Sequence, residues 1–211
     1  MTLFEDIDLF DEGQKRFTDF QLPDTELKLW ERFFEKKASD EYFSVLRETT
    51  PWQQRTRKMY DKTLPDPRLT AFYGGQNGYT WTPVLLDIKA AVETACGITF
   101  NRVLLNYYRD GQDSVSWHSD NPSSSGKHYA IASVTFGETR LFKVRHKGRK
   151  DVAPLDIPLT HGSFLLMGAT MQEHYEHHVP KTSRNIGARI NLTFRVSDTE
   201  VATNYGLFQE S

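Results

Sequence analysis

A single cysteine, Cys96, is the only thiol in this chain, which excludes an internal disulfide framework and any zinc site built on paired cysteines. No apolar run approaches the roughly 18–20 residues that a membrane-crossing helix needs. The amino terminus, Met1-Thr2-Leu3-Phe4-Glu5-Asp6, lacks a basic segment followed by an apolar stretch, so no secretory signal is expected. Internal repeats and long low-complexity segments are also missing; only Ser123-Ser124-Ser125-Gly126 reads as a flexible loop. These absences point to an intracellular protein, cytoplasmic in a bacterium and nuclear or cytoplasmic in a eukaryote. What is there is a globular composition: of 211 residues 38% are hydrophobic and 13% aromatic, enough for the core of a single domain.

Charge is unevenly spread. Residues 1–50 carry 13 Asp and Glu against 7 Lys and Arg, and residues 51–211 carry 15 against 19, so positive charge gathers in the later part. Two runs concentrate it: Arg55, Arg57, Lys58, Lys62 and Arg68, then Lys143, Arg145, Lys147, Arg149 and Lys150. A polyanion would be attracted to such runs, although solvated loop charge explains them equally well.

The spacing of Leu27, Trp30 and Phe34 after Pro23-Asp24-Thr25 predicts a helix over 23–37. A second helix is predicted over 83–96, with Thr82 as N-cap, Pro83 at its first position, Leu85, Ile88, Val92 and Ala95 as buried stripe and Gly97 as stop. Arg68 to Trp81 reads as a hairpin around Asn77-Gly78. From residue 99 onward the pattern becomes short strands: 102–109, 114–120, 129–136, 139–146, 153–159, 163–168, 173–179 and 188–196. That count suggests a sandwich or barrel, for which a jelly roll is the natural solution. The expected fold class is mainly β with flanking helices, a jelly-roll core over about 99–197, a helical N-terminal buttress and substrate lid over about 1–98, and a tail from 198 to 211.

Three patterns carry chemistry. Trp117-His118-Ser119-Asp120 sets an imidazole and a carboxylate two residues apart, on one face of a strand. A third ligand can come from Glu173-His174-Tyr175-Glu176-His177-His178, whose three histidines are not ranked by the residues alone. Two histidines and a carboxylate form the facial triad of non-haem iron oxygenases. In Arg189-Ile190-Asn191-Leu192-Thr193-Phe194-Arg195-Val196 the alternation is strict: one face is apolar, the other carries two arginines. On an edge strand that polar face would be wet; inside a barrel the guanidinium groups would require anions, and a small dicarboxylate fits. Asn106 and Tyr108 share a strand face and add an amide and a phenol.

These pieces together, with Ile131-Ala132-Ser133-Val134-Thr135-Phe136-Gly137, His161-Gly162-Ser163-Phe164-Leu165-Leu166-Met167 and His177-His178-Val179-Pro180-Lys181, resemble the AlkB family of Fe(II)/2-oxoglutarate dioxygenases across roughly residues 65–196. The resemblance implies a double-stranded β-helix. It assigns Fe(II) to His118, Asp120 and His177, and 2-oxoglutarate to Arg189 and Arg195 with help from Asn106, Tyr108, Asn191 and Thr193. It implies oxidative dealkylation by O₂ of N-alkylated nucleobases, such as 1-methyladenine and 3-methylcytosine, in DNA or RNA, with release of succinate, CO₂ and formaldehyde. A target base must leave its stack, and Tyr79 and Trp81, with Tyr73 as a third, are the expected aromatic grip. Arg55, Arg57 and Lys58 are expected at backbone phosphates, and Arg140 is read as structural. One departure stands out: Asn121-Pro122 follows the His-x-Asp pair where DNA-acting relatives often carry an acid, which leaves base preference open.

The expected partner is alkylated nucleic acid, bound by a monomer away from membranes. A 2-oxoglutarate oxygenase of proteins or small molecules, and a non-catalytic nucleic-acid-binding module, are the alternatives.

Overall fold

Among the described residues of the computed structural model, alternation from residue 99 onward folds into eight strands, and five further strands precede them. The structure describes residues 16–59, 62–75, 78–121 and 126–197, without the side chains of 57–59 and 62–64. In chain order the elements are β1 (Thr18–Asp19), β2 (Leu27–Trp30), α1 (Lys36–Thr49), β3 (Thr56–Met59), β4 (Lys62–Pro65), β5 (Leu69–Gly74) and α2 (Pro83–Cys96). Then come β6 (Arg102–Tyr108), β7 (Val115–His118), β8 (Ile131–Gly137), β9 (Arg140–His146), β10 (Leu155–Leu159), β11 (Ser163–Met167), α3 (Met171–His174), β12 (Tyr175–Val179) and β13 (Arg189–Arg195).

A large sheet, in the order β1-β2-β11-β8-β13-β6-β5, faces a small sheet in the order β10-β9-β12-β7; β3 and β4 form a separate hairpin. From β6 to β13 the chain shuttles between the two sheets, which is the double-stranded β-helix expected from the sequence. Strand period then sorts the side chains. Val103, Leu105, Ile190, Leu192 and Phe194 face outward and pack under the helices, with Leu85, Ile88 and Val92 of α2. The opposite face of β13 looks into the barrel, so the wet-edge alternative for its arginines fails: β13 is central, between β8 and β6. A second apolar cluster, including Leu27, Leu165, Phe142 and Ile157, fills the space between the sheets beside that polar wall.

The helix over 83–96 forms as expected; Gly97 closes it at φ 70° with its N–H on Glu93 O (2.8 Å), although Ala95 is exposed. The helix over 23–37 does not form. Leu27 and Leu29 point between the sheets while Trp30 points to the helix side, stacked on Phe164 at 4.7 Å, so residues on two strand faces mimic helical spacing. The pairing Phe164↔Trp30 with β11 overrides local pattern, and the helix starts instead at Lys36. Likewise the hairpin over 68–81 is not found among the described residues: β5 pairs with β6, and an isolated bridge, Tyr73↔Tyr79, closes the following turn.

Candidate active site

A cavity of about 390 Å³ lies between the sheets, within the size range of small-molecule sites. Its small-sheet wall carries His118 and His177, which are directly paired residues on β7 and β12 with ring centroids 4.4 Å apart. Between this pair and Val115↔Val179, three steps on β7 oppose two on β12. That β-bulge is what lets both Val115 and His118 face inward. Asp120 follows in the loop after β7, its Oδ1 3.7 Å from His118 Nε2, and the ligand atoms of all three residues lie within 4.8 Å of one another.

The donors are prepared for a cation. His118 Nδ1 lies 2.9 Å from Ser116 O, which can only accept, so Nδ1 is the donor there and the ring turns Nε2 to the site. Burial pushes the His177 imidazole down to about 4, which keeps it neutral. Asp120 donates its N–H to Gln172 Oε1 (2.8 Å), and its Oδ1 meets the Arg195 guanidinium at 2.8 Å. Ser119 Oγ donates to Tyr175 O (2.8 Å), so the loop is tied to the first residue of β12. Two nitrogens and one oxygen on one side suit a first-row divalent metal such as Fe(II).

At the other end of the cavity sits Arg189, only 1% exposed. Its Nη2 donates to Thr135 Oγ1 (2.9 Å) and its guanidinium lies 5.1 Å from the Tyr108 ring, while Nε and Nη1 have no hydrogen-bond partner among the described residues. Burial lowers its pKa to about 10, so it stays a cation at neutral pH with unmet donors. A carboxylate group answers that need. Asn191 Nδ2 donates to Ser133 Oγ (2.8 Å) and Thr193 Oγ1 donates to Asn191 Oδ1 (3.2 Å), so these two form a bonded wall with Asn106 nearby. Arg140 gives its guanidinium donors to the carbonyls of Asp110, Asp113 and Pro180, clamping the loops behind Tyr108.

The structure therefore brings His118, Asp120, His177, Asn106, Tyr108, Arg189, Asn191, Thr193 and Arg195 into one cavity. It does not bring in the aromatic trio. Tyr73 is buried with Ala71 on the helix side of β5, and Trp81 stacks parallel to Phe194 (6.4 Å, 7°) on that same outer layer. Tyr79 is exposed, its hydroxyl accepting from Gln53 (2.7 Å), away from the cavity. Arg55 is exposed on the surface; Arg57 and Lys58 lie on β3, with side chains outside the described residues, as are Asn77 and Pro122. Of the later basic run, Lys143 pairs with Asp156 (2.7 Å), Arg145 with Glu176 (2.5 Å) and Arg149 with Asp151 (2.7 Å), while Lys147 donates to Gln172 O. Lys150 has no such partner among the described residues and Lys147 is met only by a neutral carbonyl, so three of the run's five cations are matched by a carboxylate.

Sequence reasoning missed Phe142, Met167, Arg68 and Gln172. Phe142 was findable, since Arg140, Phe142 and Val144 alternate inward along β9. A second trio, Asp24, His146 and His174, also places ligand-type atoms within 4.8 Å. There His146 Nδ1 accepts the N–H of Gly148 (3.0 Å) and Arg149 (2.9 Å), so its Nε2 carries the proton, and Arg149 lies 3.7 Å from Asp24. Such a cluster suits ion pairing rather than a metal.

Comparison with known proteins agrees with this geometry. A solved structure, that of OsALKBH1, superposes with TM-score 0.60 at 13% identity, covering 86% of this chain and 100% of that one, a likeness of fold. The alpha-ketoglutarate-dependent dioxygenase alkB homolog 3 is 40% identical in both Rattus norvegicus and Homo sapiens, over 79% of this chain and 62% or 64% of those proteins. The chain thus spans somewhat under two thirds of these relatives' length. The DNA oxidative demethylase ALKBH2 of Homo sapiens is 34% identical over 77% of this chain and 70% of its own. With the 2OG-Fe(II) oxygenase superfamily matching residues 26–195, the chain belongs to that superfamily and, within it, to the AlkB family.

Proposed function

We propose that this chain is an Fe(II)- and 2-oxoglutarate-dependent dioxygenase that removes N-alkyl groups oxidatively from nucleobases, such as 1-methyladenine and 3-methylcytosine in DNA, with RNA as an alternative substrate. One observation carries the oxygenase part: a two-histidine, one-aspartate set and a buried arginine with unmet donors share a single 390 Å³ cavity. The nucleic-acid part rests on the likeness to alkB homolog 3 and to the DNA oxidative demethylase ALKBH2.

When bound, iron and 2-oxoglutarate supply the oxidation by O₂, with succinate, CO₂ and formaldehyde as products. His118, Asp120 and His177 would hold the metal. Arg189 would anchor one carboxylate of the oxo acid at the deep end, against Tyr108 and Thr135. Arg195, at Asp120, would balance the other carboxylate beside the metal. Leu104, Val115, Phe142 and Val179 line the space between with apolar side chains, which would limit water at the reacting groups.

An oxygenase of proteins or small molecules is a second reading, favoured by the placement of Tyr73 and Trp81 outside the cavity and by the paired basic run. Succinate formation with methylated and unmethylated oligonucleotides separates the two. Stimulation by the methylated strand, with stoichiometric formaldehyde, supports dealkylation. Turnover of 2-oxoglutarate indifferent to either strand contradicts it.

A further inference from the structure

Arg68 belongs by sequence to a surface basic run, yet its side chain lines the cavity. It ends a short strap, Asp66 to Arg68, that bridges the open edges of the two sheets. The strap runs on into β5 at the edge of the large sheet, and the Ser114 N–H, just before β7 at the edge of the small one, donates to Pro67 O (2.9 Å), while the Asp66 N–H donates to Arg55 O (2.8 Å) and extends the β3–β4 hairpin. Gln54 Nε2 donates to Asp66 O at 2.5 Å and so holds the strap from outside. β5 and β7 are the edge strands of their sheets, so this strap spans the gap beside the cavity.

From there Arg68 Nε donates to Asn106 Oδ1 at 2.8 Å. A side-chain amide has one accepting end and one donating end, and nothing but its partners decides which way it points. With Oδ1 held by a guanidinium, Nδ2 is the end that Asn106, itself in the cavity wall, has left to offer a ligand, and no described residue accepts from it. That is the polarity a carboxylate requires. The flipped amide would set oxygen against oxygen.

We propose that Arg68 is a positioning residue for the co-substrate: it fixes the Asn106 amide so that Nδ2 donates to a carboxylate of 2-oxoglutarate. This role rests on the oxygenase reading above and is distinct from contact with nucleic-acid phosphates.

The test is a double-mutant cycle on 2-oxoglutarate binding to the Mn(II)-loaded protein, read by calorimetry, with thermal melting as a check on folding. Losing a hydrogen bond that depends on a charged group weakens binding roughly tenfold or more, and Arg68→Met and Asn106→Ala should each do so. The double variant should be no weaker than Asn106→Ala alone, because Arg68 acts through that amide. Arg68→Lys, which keeps a donor, should recover part of the loss. Additive losses would mean that Arg68 meets the ligand or another group by itself and would overturn the proposal. So would an Arg68→Met protein that binds 2-oxoglutarate normally but shows weaker, less salt-dependent oligonucleotide binding. If the wild-type protein failed to bind 2-oxoglutarate at all, the oxygenase reading itself would fall, a different outcome from either.

Discussion

Replacing Arg189 by methionine should make the ligand-free protein more stable and useless for its proposed co-substrate. Arg189 is fully buried, and its pKa falls from 12.5 to about 10 because burial disfavours the charged form. The folded chain therefore holds that proton less tightly than the unfolded chain, and the shift opposes folding at every pH below about 10. At about 1.4 kcal/mol for each tenfold change in proton affinity, this amounts to roughly 3 kcal/mol. Methionine removes that cost, together with two nitrogens that lack partners. Against this stands the hydrogen bond to Thr135, about 1 kcal/mol; the attraction of Tyr108 is already contained in the shift. The balance favours the variant by roughly 2 kcal/mol, a rise of about 4–8 °C in melting temperature for a chain of this size. Adding Mn(II) and 2-oxoglutarate should then raise the melting temperature of the wild type, by mass action, and leave Arg189→Met where it was. A variant that melts several degrees lower without ligand, or that gains as much from 2-oxoglutarate as the wild type, would refute the idea that Arg189 is a buried cation kept for an anionic ligand.

Three further outcomes follow from the same geometry. Gln172 is buried and accepts the Asp120 N–H, so Gln172→Ala should weaken Co(II) binding by about 10–100-fold in a titration while altering the oligonucleotide affinity little. Trp81 packs on Phe194 outside the cavity, so Trp81→Ala should lower stability by about 2–4 kcal/mol in urea and leave the apparent KM for a methylated oligonucleotide unchanged; a raised KM at normal stability would put Trp81 back at the substrate. Because Lys143 and Arg145 are already paired with Asp156 and Glu176, charge reversal at both should change the salt slope of oligonucleotide binding by less than about one unit, and a larger change would show that these pairs open to phosphates.

The chemistry of the site was legible where it depended on strand period. The face shared by Arg189, Asn191, Thr193 and Arg195 needs only alternation to predict, and so does that of Asn106 and Tyr108. The choice among His174, His177 and His178 was not legible from residue type. In the structure parity decides it: His177 points in, His178 stacks outward on Trp117 at 4.0 Å, and His174 precedes the strand on α3 beside His146. Tyr73 was misplaced for a similar reason. Its face depends on the register Tyr73↔Val103 with β6, a partner about thirty residues away that no local pattern reveals. Leu27 to Phe34 read as a helix because strand and loop residues serving two cores happened to recur at helical spacing. Arg68 and Gln172 act through Asn106 and Asp120, and only the folded arrangement shows those contacts.

A crystal of the full chain grown anaerobically with Mn(II) and 2-oxoglutarate tests the central claim most directly. Anomalous density bounded by His118, Asp120 and His177, with a carboxylate of the oxo acid on Arg189, is the expected result. A metal held elsewhere, at Asp24, His146 and His174 for instance, or an oxo acid that leaves Arg189 without an anionic partner, would contradict it.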